Sequence, residues 1–126
     1  MKRIISTDNA PKSIANYSQA IEANGFLFIS GQIAIDPSLN KLIEGDVSAQ
    51  TARALQNVDA ILKAAGYTKE DVVKVTCLLS DMKDYAAMNA VYLSYFETNP
   101  PARAAFATAG LPMGGLVEIE VVATKL

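Results

Sequence analysis

Two stretches of this 126-residue chain, Phe26-Leu27-Phe28-Ile29 and Val72–Ser80, are apolar at both odd and even positions. Successive side chains of a strand point to opposite faces, so such a run needs cover on both sides. The rest of the chain offers only two helical segments to supply it. In residues 47–65, Thr51, Ala54, Leu55, Val58, Ile61, Leu62 and Ala65 recur at i+3/i+4 spacing, and Gly66 suits the position just past the helix. The second helix spans roughly 82–97, with Asp81 as its cap and Asn99-Pro100-Pro101 as its stop. Its stripe is Tyr85, Met88, Asn89, Tyr92, Tyr95 and Phe96. Strands are expected at 2–6, 18–23, 25–31, 72–80, 102–108 and 116–124. Asn24-Gly25 makes a two-residue hairpin turn, because both residues tolerate positive φ. Asp36–Asn40 reads as a loop. The order β-β-β-α-β-α-β-β predicts one α+β domain over residues 1–126, with two helices packed on one face of a sheet. Two helices cannot cover two faces. A second copy of the same chain is the economical cover, so the pattern predicts a homo-oligomer without fixing its copy number.

The charge balance narrows the partners. With net charge −2, pI about 5.0 and scattered basic residues, no general surface for nucleic acid or anionic membrane is expected. The start, Met1–Ser6, lacks the apolar run of a signal peptide, and no stretch approaches a membrane span. The single cysteine, Cys77, permits no internal disulfide, and a reducing, cytoplasmic setting is expected. Within an apolar strand it reads as an inert core thiol. The chain has no histidine. That removes the commonest metal ligand and the commonest acid/base group at neutral pH, and it excludes a Ser-His-Asp triad or a Cys-His dyad. No metal site is expected. Catalysis must draw on carboxylates, Arg, Lys, Tyr, backbone groups or water.

The last two strands carry the charged candidates. Alternation puts Arg103, Ala105 and Ala107 on one face of the first, and Glu118 and Glu120 on one face of the second. Val117, Ile119 and Val121 take the other face, toward the helices. Arg103 and both glutamates are therefore expected together on the face that meets a neighbouring chain. By residue type alone, Arg103 reads as a cross-strand ion pair with Glu118 or Glu120. Asn89 reads as a satisfied buried amide, Tyr17 as packing and Gly31 as a strand terminator.

Longer segments change these weights. Pro101-Ala102-Arg103-Ala104-Ala105-Phe106, then Leu111-Pro112, then Val117-Glu118-Ile119-Glu120 closely resembles the C-terminal signature of the Rid (reactive intermediate deaminase, YjgF-type) family. Asn9-Ala10-Pro11, Tyr17-Ser18-Gln19, Phe28-Ile29-Ser30-Gly31-Gln32, Gln56-Asn57, Ala64-Ala65-Gly66 and Asn89-Ala90-Val91-Tyr92 match other family segments in order, so the resemblance spans essentially the whole chain. It implies a chorismate-mutase-like α+β fold, a homotrimer with clefts between subunits, and no cofactor. It also implies hydrolysis of 2-imino or 2-enamino acids, such as 2-aminoacrylate, 2-iminopropanoate and 2-iminobutanoate, to 2-oxo acids and ammonia. By position, Arg103 matches the arginine that binds the substrate carboxylate, and Glu118 the glutamate near the attacking water. Ser30 and Gly31 match the turn whose backbone contacts the ligand, and Tyr17 and Asn89 match further pocket-lining positions. Glu120 is not a matching position. Ala15-Asn16 replaces a frequent Gly-Pro, and Ala105 stands where several members have cysteine.

A trimer that binds small carboxylates in the same clefts without turnover is the alternative reading. Ribonuclease activity, with which some family members have been annotated, is disfavoured by the net charge, the missing histidine and the lack of a basic aromatic stripe.

Overall fold

The computed structural model describes residues 1–125. Its strands are β1 (Arg3–Ile5), β2 (Ala20–Ala23), β3 (Phe26–Gln32), β4 (Ile35–Asp36), β5 (Lys41–Leu42), β6 (Val72–Leu79), β7 (Ala102–Ala107) and β8 (Val117–Thr124). Its helices are α1 (Val47–Ala65) and α2 (Tyr85–Tyr95). Six strands form a mixed sheet in the order β1-β2-β3-β8-β6-β7, in which only β6 and β7 pair in parallel. The α+β architecture with two helices is the expected one. The sequence reading missed the small β4–β5 ribbon, whose two-residue strands are too short for periodicity to mark. It also extended the second helix too far. Residues 82–84 form a 3₁₀ turn in which Asp81 accepts from the Lys83 N–H, and α2 begins only at Tyr85.

The local signals act as their chemistry requires. Asn24 and Gly25 take φ values of 53° and 78°, the geometry of a tight β2–β3 hairpin. Asp46 caps α1 by accepting from the Ala49 N–H at 3.0 Å, and Gly66 ends it at φ 82°. Buried residues of α1 pack with Leu27, Ile29, Val75, Cys77, Leu79, Val117, Ile119 and Val121 into one core. Each such side chain contributes on the order of 1.5–3 kcal/mol by leaving water.

The opposite sheet face is uncovered in the single chain. Phe26 and Phe28 on β3 and Phe106 on β7 remain 43%, 48% and 48% exposed. This is the bare second face that the two-sided apolar strands require. Among the described residues no helix is long and apolar enough to cross a membrane.

Three buried amides fix the loops around this frame. Gln19 donates to the Ala10 and Pro11 carbonyls at 3.3 and 2.7 Å and accepts from the Thr7 N–H, so it ties down the segment preceding Tyr17. Asn57 donates to the Ile33 and Ile35 carbonyls beyond β3. Gln50 accepts from the Leu116 N–H just before β8. None of the three stands out by residue type, because each partner is remote in sequence.

Candidate active site

Arg103 does not share a face with Glu118 and Glu120, contrary to the alternation argument. The two strands that carry them are not neighbours, because β6 lies between β7 and β8. Parallel pairing places Arg103 opposite Val75 and Ala105 opposite Cys77, both buried on the helix side. Glu120 and Glu118 pair with Thr76 and Leu78, which alternate onto the bare face. The cross-strand ion pair suggested by residue type is absent, and no carboxylate lies within salt-bridge distance of Arg103 among the described residues.

Neutral groups on one stripe of α2 hold the guanidinium instead. Its Nη1 donates to Asn89 Oδ1 at 2.7 Å, and its Nη2 donates to the Tyr85 hydroxyl at 2.7 Å. The Tyr92 ring lies 4.6 Å from the guanidinium carbon, a cation–π contact. Tyr85, Asn89 and Tyr92 stand at i, i+4 and i+7, so α2 presents all three to the edge strand together. Of the five guanidinium N–H groups, two are spent on these partners. The rest remain for an external acceptor, and the charge is uncompensated. Sequence reading placed Tyr85 and Tyr92 on the packing stripe and missed their contact with Arg103. Their helical spacing from Asn89 was the available signal.

The remaining candidates cluster on the opposite face. The β3–β8 register shifts between Ile29 and Gln32, so Ser30 and Gly31 form a bulge. Bulges re-aim strands and side chains locally and are frequent beside active sites. The Ser30 hydroxyl donates to the Ser18 carbonyl at 2.6 Å, and the Ser30 N–H donates to the Gln19 carbonyl at 3.0 Å. Gln32 donates back to the Ser30 carbonyl at 3.1 Å. These bonds join the bulge to the Tyr17 loop. Tyr17, Ser18, Phe28 and Ser30, with Lys2, line an open cavity of about 400 Å³. The Tyr17 ring is 49% exposed.

Gly31 meets Glu118 directly. A Cβ on Gly31 would overlap Glu118 Oε2 and stand 2.8 Å from its Cδ, so only glycine lets the carboxyl lie against the backbone here. Burial, and secondarily the Glu120 charge, raises the Glu118 pKa above its ordinary value. Cys77 is fully buried, and burial pushes its thiol up to about 11, which leaves it unreactive as expected.

One chain therefore carries two separate clusters of candidate residues. Arg103 and Asn89 form a cationic cluster at the β7 edge. Tyr17, Ser30, Gly31 and Glu118 form a second cluster on the bare face. Strands β3 and β7 are three positions apart in the sheet, about 14 Å at ordinary strand spacing. A larger groove of about 740 Å³ runs between α1 and α2 and contains none of these residues. The charges along it are already matched, with Asp59 bound to Lys63 at 3.0 Å and accepting from the Tyr95 hydroxyl at 2.7 Å.

Comparison with known proteins places these features among relatives. Residues 7–125 match the family model described as Endoribonuclease L-PSP. A RutC family protein of Pyrococcus horikoshii is 53% identical, with 99% of each chain covered. A human protein named 2-iminobutanoate/2-iminopropanoate deaminase is 47% identical over 99% of this chain and 91% of its own length. Among solved structures, TdcF of E. coli with bound serine superposes with a TM-score of 0.94 at 35% identity, over 98% of this chain and 99% of that one.

Proposed function

The chain belongs to the Rid family, which the Endoribonuclease L-PSP model describes, and from that membership we propose that it hydrolyses 2-imino and 2-enamino acids to 2-oxo acids and ammonia. The observation that carries this reading is the uncompensated Arg103 guanidinium, held by Asn89 and Tyr85 with free N–H groups and no carboxylate partner among the described residues. A planar fork of that kind grips a carboxylate through parallel charge-assisted bonds. The curated relative named for imine deamination and the relative with bound serine both support a small carboxylate as its ligand.

The two clusters are half-sites that meet in a homotrimer, where the β7 edge of one copy faces the bulge and Glu118 of the next. This arrangement covers the exposed phenylalanines and brings the substrate carboxylate on Arg103 near Glu118. Water then adds to the imine carbon. The resulting carbinolamine loses ammonia and leaves the 2-oxo acid. Glu118 orients this water and takes its proton, and the elevated pKa makes the ionised carboxylate a stronger base. In its protonated form the same carboxyl delivers a proton to the β-carbon of an enamine, giving the iminium, the protonated imine, whose carbon the water attacks. The Ser30-Gly31 backbone and Tyr17 line the far side of the cleft, and Asn89 steadies the fork. Imine hydrolysis already proceeds in water, so positioning supplies most of the acceleration.

The test is a coupled assay in which threonine dehydratase generates 2-iminobutanoate and release of the 2-oxo acid is followed. Wild type accelerates release and Arg103→Ala does not. Equal rates for the two proteins would defeat the assignment of Arg103. A second reading, a trimer that binds small carboxylates without turnover, draws on the exposed Tyr17 loop. Binding of 2-oxobutanoate without any rate enhancement would favour it.

A further inference from the structure

We propose that the Tyr85 hydroxyl is itself part of the carboxylate anchor, fixing the Arg103 fork through its oxygen and donating its proton to the bound anion. The inference rests on the reading of Arg103 as the carboxylate-binding residue and adds a group to that site. It starts from the polarity of one hydrogen bond. A guanidinium has donors only, so in the 2.7 Å contact the phenol oxygen must be the acceptor. The single O–H of Tyr85 is therefore free to donate elsewhere, and no acceptor for it occurs among the described residues. Asn89 is arranged in the same way, since its Oδ1 accepts from Arg103 and its amide N–H groups are left over.

The consequence is a cluster of unspent donors around one point. It comprises the remaining guanidinium N–H groups, the Tyr85 O–H and the Asn89 amide, with no carboxylate among them. A carboxylate offers about four lone-pair sites, so it accepts the fork and still has sites for a phenol. Tyr85 is half-buried and packs against the core, which holds its ring, and its hydroxyl reaches the guanidinium at the sheet edge. Phenylalanine would fill the same space and keep the ring contact, 5.6 Å from the guanidinium carbon, while removing both hydrogen bonds.

The experiment compares wild type, Tyr85→Phe and Arg103→Ala by calorimetric titration with 2-oxobutanoate and with its uncharged amide, alongside thermal unfolding. Tyr85→Phe is expected to weaken 2-oxobutanoate binding about 10-fold, the size of one hydrogen bond to a charged group. The thermal midpoint and the affinity for the amide should hardly move, so the preference for the charged ligand shrinks. Packing alone would not produce that selective loss. Wild-type affinity in Tyr85→Phe, with binding abolished in Arg103→Ala, would overturn the role of Tyr85 and leave Arg103 standing. Wild-type affinity in both variants would overturn the Arg103 reading and the Tyr85 proposal with it.

Discussion

Replacing Gly31 by alanine probes the contact between the bulge and Glu118 with a single methyl group. Gly31 does not occupy the left-handed region, so alanine meets no backbone strain there. The obstacle is the Glu118 side chain. The new Cβ would overlap Oε2, with Cδ at 2.8 Å and Cγ at 3.0 Å. Ordinary carbon–carbon contact is about 3.5–4.0 Å, so the carboxyl must retreat by about 1 Å. A displacement of that size at a positioned group can cost about 100-fold in rate. The fold should tolerate it, because the far end of a flexible side chain moves and alanine also reduces the entropy of the unfolded chain. The expected outcome is a thermal midpoint within about 4 °C of wild type and kcat/KM for 2-iminobutanoate lower by about 100-fold. The double variant supplies the decisive arm. With Glu118→Ala already in place, nothing remains for the Cβ to strike, and adding Gly31→Ala should cost little more. Unchanged kcat/KM in Gly31→Ala, or a full additional loss in the double variant, would refute the claim that Gly31 acts through Glu118.

Three further outcomes follow from the same geometry. Glu118 is protonated more readily in the native chain than in the unfolded one, because burial and Glu120 disfavour its charge. The native state therefore binds more protons, and the contribution of Glu118 to stability falls as pH rises through its elevated native pKa. Glu118→Gln should be more stable than wild type at pH 7, with the difference vanishing below the ordinary carboxylate range, as read by urea unfolding across pH. The Tyr92 hydroxyl is buried without a hydrogen-bond partner among the described residues, so Tyr92→Phe should raise stability by about 1 kcal/mol while keeping the ring beneath Arg103; a loss of stability would reveal a bonded hydroxyl. Phe28 lies half-exposed on the bare sheet face, so under the proposed trimer the wild type should sediment at three times the 13.4 kDa chain and Phe28→Glu as smaller species. An unchanged mass would place the interface elsewhere.

The sequence by itself determined the main elements and the two-sided apolar character of the central strands. Periodicity set α1 at Val47–Ala65, with Gly66 as its stop, because helix boundaries depend on neighbours within a turn or two. Asn24-Gly25 set the β2–β3 hairpin for the same local reason. Two-sided apolar strands with only two helices implied an uncovered apolar face, and the exposed face bears Phe26, Phe28 and Phe106. The motif that contains Arg103 and the one that contains Glu118 were legible as matches to a family. Their relative placement was not. Alternation fixes which residues of a strand share a face, but which face that is depends on the neighbouring strand and its register. The segment Ala102–Ala107 is nearly all alanine around Arg103, so its own pattern gives no phase, and pairing with β6 decided that the guanidinium meets Tyr85, Asn89 and Tyr92. The Gly31–Glu118 contact likewise joins residues 87 positions apart through a bulge, and only the assembled sheet brings them together.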